Sequence, residues 1–489
     1  MALRMYTIPR NMPTTFVTAF LDLGEDRSKD KSVERCCKFF SRLADTGITL
    51  HVFLSKNYQQ IYETIVGPRD NVTLEFIELQ ELEAYQDVNT IEYGMPEVRT
   101  HYHDTKNFLI LINSKIELVH RVMRSGSGSS EPSSQYAWID FSIYHVFKDV
   151  DTTGRYIKML GSSTLKNGLY IPGCWERSEN GPSFSSVCWR FCGGFFIGDT
   201  ASIEKFYVSH RSLFKTLVSL KGLSWEVNLW AWLEYIGHLS CIWVKADHND
   251  SIVRLPSSAF KVVASLTTIP PRAKECQLAI ESLIDQVDHI YLSVCKNYDR
   301  FGPWELPEYL TEKRYGSKLT VVFTEDRGPA TKYVGGLGHI PADSWVFVCD
   351  DDQEYHPTLI SRMKESIKEL AVYQNHYNSI VKKTSGGLIH GYVGLLVPAS
   401  FLRSLASFPL PRSAYFVDDQ WMSIYCFLNS MRIYQTRAEA YSEIYKVMDG
   451  WHEKIGAESL ASLNNRDEMV RAIAKEFSVK FDGAMIHKI

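Results

Sequence analysis

The chain has 489 residues, too many for one hydrophobic core, since single cores stop growing at roughly 250–300 residues. A hydrophobic content of 45% with 13% aromatic residues excludes a disordered polymer, and a net charge of -4 excludes a general attraction to nucleic acid or anionic lipid. Any polyanionic ligand must be held by a local site. The ten cysteines form no C-x-x-C pair, which argues against a structural zinc site. Several lie in apolar runs, as Cys349 does in SWVFVC, and read as buried small hydrophobes of a reducing compartment. The opening MALRMYTIPRNMP lacks the long apolar stretch of a signal peptide or membrane anchor, so a soluble cytoplasmic protein without membrane insertion is expected.

In chain order, Thr15–Leu21 reads as a strand, Ser32–Leu43 as a helix, and Thr49–Leu54 and Val72–Ile77 as strands. Thr105–Val122 has helical spacing and leads to a fourth strand, Tyr136–Phe141. The polar segment Ser125–Ser134 (SGSGSSEPSS) between them reads as a flexible surface loop. The pattern then repeats. Lys261–Leu266 is a strand, Lys274–Ile284 a helix, His289–Val294 and Leu319–Phe323 strands, Pro329–Leu337 a short helix, and Trp345–Cys349 a fourth strand. Proline and serine in RLPSSAF, Arg254–Phe260, interrupt the alternation. The expected class is α/β with a mainly parallel, Rossmann-like sheet in each of two tandem domains, 1–255 and 256–489.

Each fourth strand runs into acid: Asp140 in the first half, and Asp350, Asp351 and Asp352 in the second. Strand alternation puts Asp350 and Asp352 on one face and Asp351 on the other. Two carboxylates side by side at the end of a buried strand repel, and a hard divalent cation between them removes the conflict and can also hold a diphosphate. The bland alternative is an acidic turn capping the next helix. Strand carboxyl ends of an open α/β sheet are where ligands bind.

From these residues the second half resembles a GT-A glycosyltransferase, in which a D-x-D element ends the fourth strand. SLTTIPPR, Ser265–Arg272, resembles the opening strand and loop near the nucleotide base, and DRGPATKY, Asp326–Tyr333, the segment whose Lys332 lies near the diphosphate. The resemblance implies Thr267, Arg272, Asp351 and Lys332 as donor contacts, and Asp350 and Asp352 as ligands of Mn²⁺ or Mg²⁺. AYFVDDQW, Ala414–Trp421, resembles the acidic pair after the acceptor loop. That would make Asp419 the catalytic base of an inverting enzyme, with Asp418 beside it. The structural alternative is a pair of acids that merely starts a helix.

The first half resembles the bacterial HtrL/YibB-type glycosyltransferases more faintly. YAWIDFSIYH carries Asp140 at the first D-x-D position, but Ser142 replaces the second Asp. RFCGGFFIGD, with Gly194, resembles the segment lining the donor-sugar pocket, and LSWEVNLWAWLEYI the helix bearing the acceptor-side acid, here Glu226, with Ser224 able to cap it. A late His completes the metal shell in many GT-A enzymes. His248 would partner Asp140 in this way, and His452, with His390 and His356 as competitors, would serve the second half. Lys115, before the fourth strand, is a candidate phosphate contact, although such a Lys is more often solvated. Trp175, Trp189, Trp225, Trp304 and Trp421 could stack on a sugar or base, or be core.

Together these features point to a bifunctional, metal-dependent glycosyltransferase that uses a UDP- or GDP-sugar donor and a glycan or glycoprotein acceptor. Such multi-domain cytosolic transferases resemble those that large algal viruses encode for capsid glycans. The rival readings are one active transferase with a glycan-binding first domain, a sugar-phosphate nucleotidyltransferase, and a non-catalytic carbohydrate binder. A nucleotidyltransferase opens with a glycine-rich phosphate loop, whereas Leu266–Arg272 (LTTIPPR) has no glycine.

Overall fold

The computed structural model describes residues 12–24, 32–88, 94–101, 103–126, 133–374, 388–391, 394–436, 445–447, 466–482 and 485–488. The chain divides into two compact units, with the break after Pro256. Each is an α/β unit built on a seven-stranded, mostly parallel, Rossmann-like sheet.

In the N-terminal unit the strands are β1 (Thr14–Phe20), β2 (Thr49–Leu54), β3 (Val72–Phe76), β4 (Gln135–Ile139), β5 (Leu169–Gly173), β6 (Phe195–Asp199) and β7 (Ile242–Lys245). Their order across the sheet is β3-β2-β1-β4-β6-β5-β7. Strands β3, β2, β1 and β4 are mutually parallel, β6 runs antiparallel to both neighbours, and β5 pairs parallel with β7. Every residue of β1, TTFVTAF, is buried, as expected for a central strand covered on both faces. The core includes Trp230, which meets Phe191, Phe196 and Phe206 edge-on.

The C-terminal unit has β8 (Val262–Thr267), β9 (His289–Val294), β10 (Leu319–Phe323), β11 (Trp345–Val348), β12 (Val372–Gln374), β13 (Leu395–Pro398) and β14 (Ile433–Gln435) in its main sheet. The order is β10-β9-β8-β11-β13-β12-β14, again with the sixth strand, β13, reversed. The two sheets therefore share one topology, strand for strand. The repeat visible in the first four strands extends to the last three, which the sequence reading did not assign.

Several local expectations shift. The helical pattern over Thr105–Val122 is two helices, Lys106–Asn113 and α1 (Lys115–Ser125), broken at Ser114. The short helix expected over Pro329–Leu337 is the single turn α2 (Thr331–Val334). Of the loop Ser125–Ser134, residues 127–132 lie outside the described residues. No helix among the described residues is long and apolar enough to cross a membrane, and all ten cysteines are free thiols.

Because each unit has its own buried core, fragments spanning Asn11–Pro256 and Ser257–Ile489 should each unfold in a single cooperative transition by calorimetry. A broad, non-cooperative melt of either fragment would show that its core is incomplete.

Candidate active site

In the N-terminal unit Asp140 follows directly on the last residue of β4. Ser114 ends one helix and caps the next, so Lys115 is the first residue of α1. Helix α3 (Glu226–Tyr235) likewise begins on an acid. These three positions converge. The Lys115 Nζ lies 2.9 Å from Glu226 Oε1 and 3.3 Å from Asp140 Oδ1, and donates to the Gly193 carbonyl at 2.8 Å. An ammonium has three hydrogens, and here it has three acceptors. Lys115 and Glu226 are both buried. Burial alone would lower the Lys115 pKa, but the Asp140 and Glu226 carboxylates outweigh it and hold the ammonium above its ordinary value. Asp140 also accepts from Trp138 Nε1 at 2.7 Å, and its backbone N–H donates to Gly194 at 2.9 Å. A side chain at residue 193 would put its Cβ 2.1 Å from Glu226 Oε1, so glycine is required there.

The C-terminal unit repeats the arrangement. Lys332, in α2, places Nζ 2.6 Å from Asp350 Oδ1 and 3.2 Å from Asp418 Oδ2. Asp418 is the first residue of α4 (Asp418–Leu428), the position Glu226 holds in α3. Lys332 is buried, and Asp350 and Asp418 overcome that burial to keep it charged, well above the usual lysine pKa. Asp419 accepts from the Gly391 N–H at 3.0 Å and the Tyr333 hydroxyl at 3.3 Å. Burial first, and Asp418 second, push its pKa up to about 7.

The acidic triplet departs from the expected alternation. Strand β11 ends at Val348, so the period of two does not carry through Asp350–Asp352. Asp351 and Asp352, not Asp350 and Asp352, share a partner: Arg272 Nη1 lies 3.0 Å from Asp351 Oδ1 and 2.9 Å from Asp352 Oδ2. Thr268 adds a 2.6 Å hydroxyl bond to Asp351. Thr268 was passed over beside Thr267, whose own hydroxyl is tied to the Ser293 carbonyl at 2.7 Å. Lys115, a candidate phosphate contact, is buried between acids, so the solvated alternative does not hold. Ser224 does not cap α3; Trp225 holds the cap position, and the Ser224 hydroxyl donates to Phe184.

The histidines are less gathered. His248 is exposed, with its ring 5.5 Å from that of His145, which contacts the Ser142 carbonyl. His356 bonds Thr358 in a turn, the His390 N–H bonds Gln374, and His452 lies outside the described residues. Among the described residues, no three or more His, Cys, Asp or Glu side chains form a ready-made metal cage. The charges nevertheless fit a cation in the C-terminal unit. Among the described residues, Asp350 and Asp418 are ion-paired to Lys332 and Asp351 and Asp352 to Arg272, with Asp419 beside Asp418, whereas in the N-terminal unit Asp140 and Glu226 are paired to Lys115. The larger acidic surplus suits a hard divalent ion with oxygen ligands.

No protein-family model and no curated protein matches the sequence. Among solved structures, the chain is similar to a nucleotidyl transferase from Methanothermobacter thermautotroptrophicus, with TM-score 0.28 and 13% identity over 43% of this chain and 99% of that one. It is also similar to the mannosyltransferase PcManGT from Pyrobaculum calidifontis in complex with GDP-Man and Mn²⁺, with TM-score 0.30 and 15% identity over 47% of this chain and 79% of that one. A third is 4-diphosphocytidyl-2C-methyl-D-erythritol synthase from Anaerococcus prevotii, with TM-score 0.24 and 11% identity over 50% and 91%.

Removing the buried cation while leaving its acids should be costly. Lys332→Met is expected to destabilise the C-terminal unit by about 3–5 kcal/mol in denaturant titrations near neutral pH. Lys332→Met combined with Asp350→Asn should recover part of that loss. Equal stability of Lys332→Met and the native chain would mean that water, not Lys332, balances the acids.

Proposed function

We propose that the chain is a bifunctional GT-A-type glycosyltransferase, each unit moving a sugar from a UDP- or GDP-sugar to a growing glycan or glycoprotein. The observation that carries this reading is the shared constellation at the carboxyl ends of both sheets. In each, a buried Lys bridges the acid after the fourth strand and the acid that opens a later helix. This is the edge where ligands of open α/β sheets bind.

In the proposed reaction the acceptor hydroxyl oxygen attacks the anomeric carbon, and the bond from that carbon to the diphosphate oxygen breaks. Attack from the opposite face inverts the configuration. The proton passes to a carboxylate in the first turn of a helix, Asp419 in the C-terminal unit and Glu226 in the N-terminal unit. Asp419 suits the task, with a pKa near 7 and an orientation fixed by Gly391 and Tyr333. Asp418 then serves as the counter-ion that positions Lys332. Asp350 and Asp352 would hold Mn²⁺ or Mg²⁺, which when bound supplies charge neutralisation for the departing diphosphate. Lys332 faces the same leaving group and adds its own charge, while Arg272 and Asp351, with Thr267 near them, shape the donor side. In the N-terminal unit Asp140 and His248 are a thinner ligand set. Lys115 is the main positive charge there, and Gly194 borders the donor sugar.

A second reading leaves only the C-terminal unit catalytic and makes the first a glycan-binding domain. Ser142 in place of a second Asp favours it. Product analysis separates the two. Asp419→Asn should remove one glycosyl product and Glu226→Gln the other. Each should cut turnover roughly 10²–10⁴-fold with donor affinity nearly unchanged. Loss of only the Asp419-dependent product would establish the second reading. Persistence of both products in both variants would overturn the assignment of the bases.

A further inference from the structure

We propose that Cys174 and Cys192 form a reversible disulfide that clasps the N-terminal unit beside its site. Cys174 comes directly after β5, and Cys192 lies just ahead of β6. Their Sγ atoms are 3.4 Å apart although the residues are eighteen positions apart. Backbone bonds press the two segments together, from Cys192 N–H to the Pro172 carbonyl at 2.8 Å and from Cys174 N–H to the Trp189 carbonyl at 3.1 Å. The intervening Gly173 is what permits this contact, because a Cβ there would lie 1.8 Å from the Arg190 carbonyl oxygen. A disulfide requires the sulfurs to close to a bond length of about 2.05 Å.

The two thiols divide the chemistry by exposure. Cys174 is partly exposed and Cys192 buried, so an oxidant reaches Cys174 first. The Cys174 thiol donates to Asp247 Oδ1 at 4.0 Å. With hydrogen peroxide as oxidant, the Cys174 sulfur becomes a sulfenic acid and one water is released. The Cys192 sulfur then attacks that sulfur, the S–S bond forms, and a second water leaves. Two thiols lose two electrons and two hydrogens, and one peroxide is reduced to two waters. The bond would tether the segment that carries the exposed Trp175 and Trp189. It would also fix the peptide next to Gly193, whose carbonyl holds Lys115. It depends only on the two sulfurs, whatever reaction the site performs.

The test uses the full chain, reduced and then exposed to graded hydrogen peroxide. Remaining thiols are alkylated and the protein digested without reductant for peptide mass spectrometry. The expected product is one linked peptide pair holding Cys174 and Cys192, separated again by dithiothreitol. The transition of the N-terminal unit should rise by roughly 5–10 °C in the linked form. In Cys192→Ala the link and the rise should vanish, and dimedone should capture a sulfenic acid on Cys174. Alkylation of both residues after peroxide, oxidation of Cys174 to sulfinic acid without a link, or bridging of either residue to Cys188 or Cys241 would each overturn the proposal.

Discussion

Lys332 and Lys115 sit out of water, each held by a carboxylate after the fourth strand of its sheet and another at the first residue of a helix. A lone ammonium or a lone carboxylate at such a position would be expensive to bury, and each group is tolerable because the others are present. The sheet topology brings them together: the parallel strands end at one edge, the Lys comes from the helix just before the fourth strand, and the second acid from the helix before the last strand. Glycines then complete each site where side chains would collide. A Cβ at Gly193 would meet Glu226, and one at Gly391 would meet the Tyr333 hydroxyl and Asp419 at 2.4 and 2.5 Å.

On that common frame the two units diverge in charge. Among the described residues, the C-terminal site adds Asp351, Asp352 and Asp419 and one further cation, Arg272, which makes it the more acidic of the two. The N-terminal site keeps one strand-end acid, braced by the Trp138 indole, and one helix-start acid. The same fold thus offers one centre suited to a divalent ion and another in which a lysine is the main positive charge.

Much of this was legible in the sequence because the apolar runs of β1, β4, β8 and β11, and the acids after β4 and β11, are local signals. Asp140, Asp350, Glu226, Asp418 and Lys332 could be picked out one by one. Their mutual pairing could not, because it depends on contacts between residues 111 positions apart, as for Lys115 and Glu226. Asp351 and Asp352 share Arg272, a pairing that alternation does not foretell, because it holds only while the chain stays in the strand and β11 stops at Val348. The burial of Lys115, a candidate phosphate contact, was hidden because helical spacing through Thr105–Val122 conceals the break at Ser114. Strands β12 and β14, three residues each, carry too few positions for a clear pattern. Reading the cysteines as inert core residues missed the Cys174–Cys192 contact, since no spacing rule foretells it.

The central claim is that both lysine-bridged sites bind a nucleoside diphosphate. Calorimetric titration of the full chain with UDP and with GDP, in the presence of Mn²⁺, measures this directly as a stoichiometry. Two bound equivalents per chain, one lost in Lys332→Met and the other in Lys115→Met, is the predicted result. No binding of either nucleotide, or binding that survives both substitutions together, would contradict it.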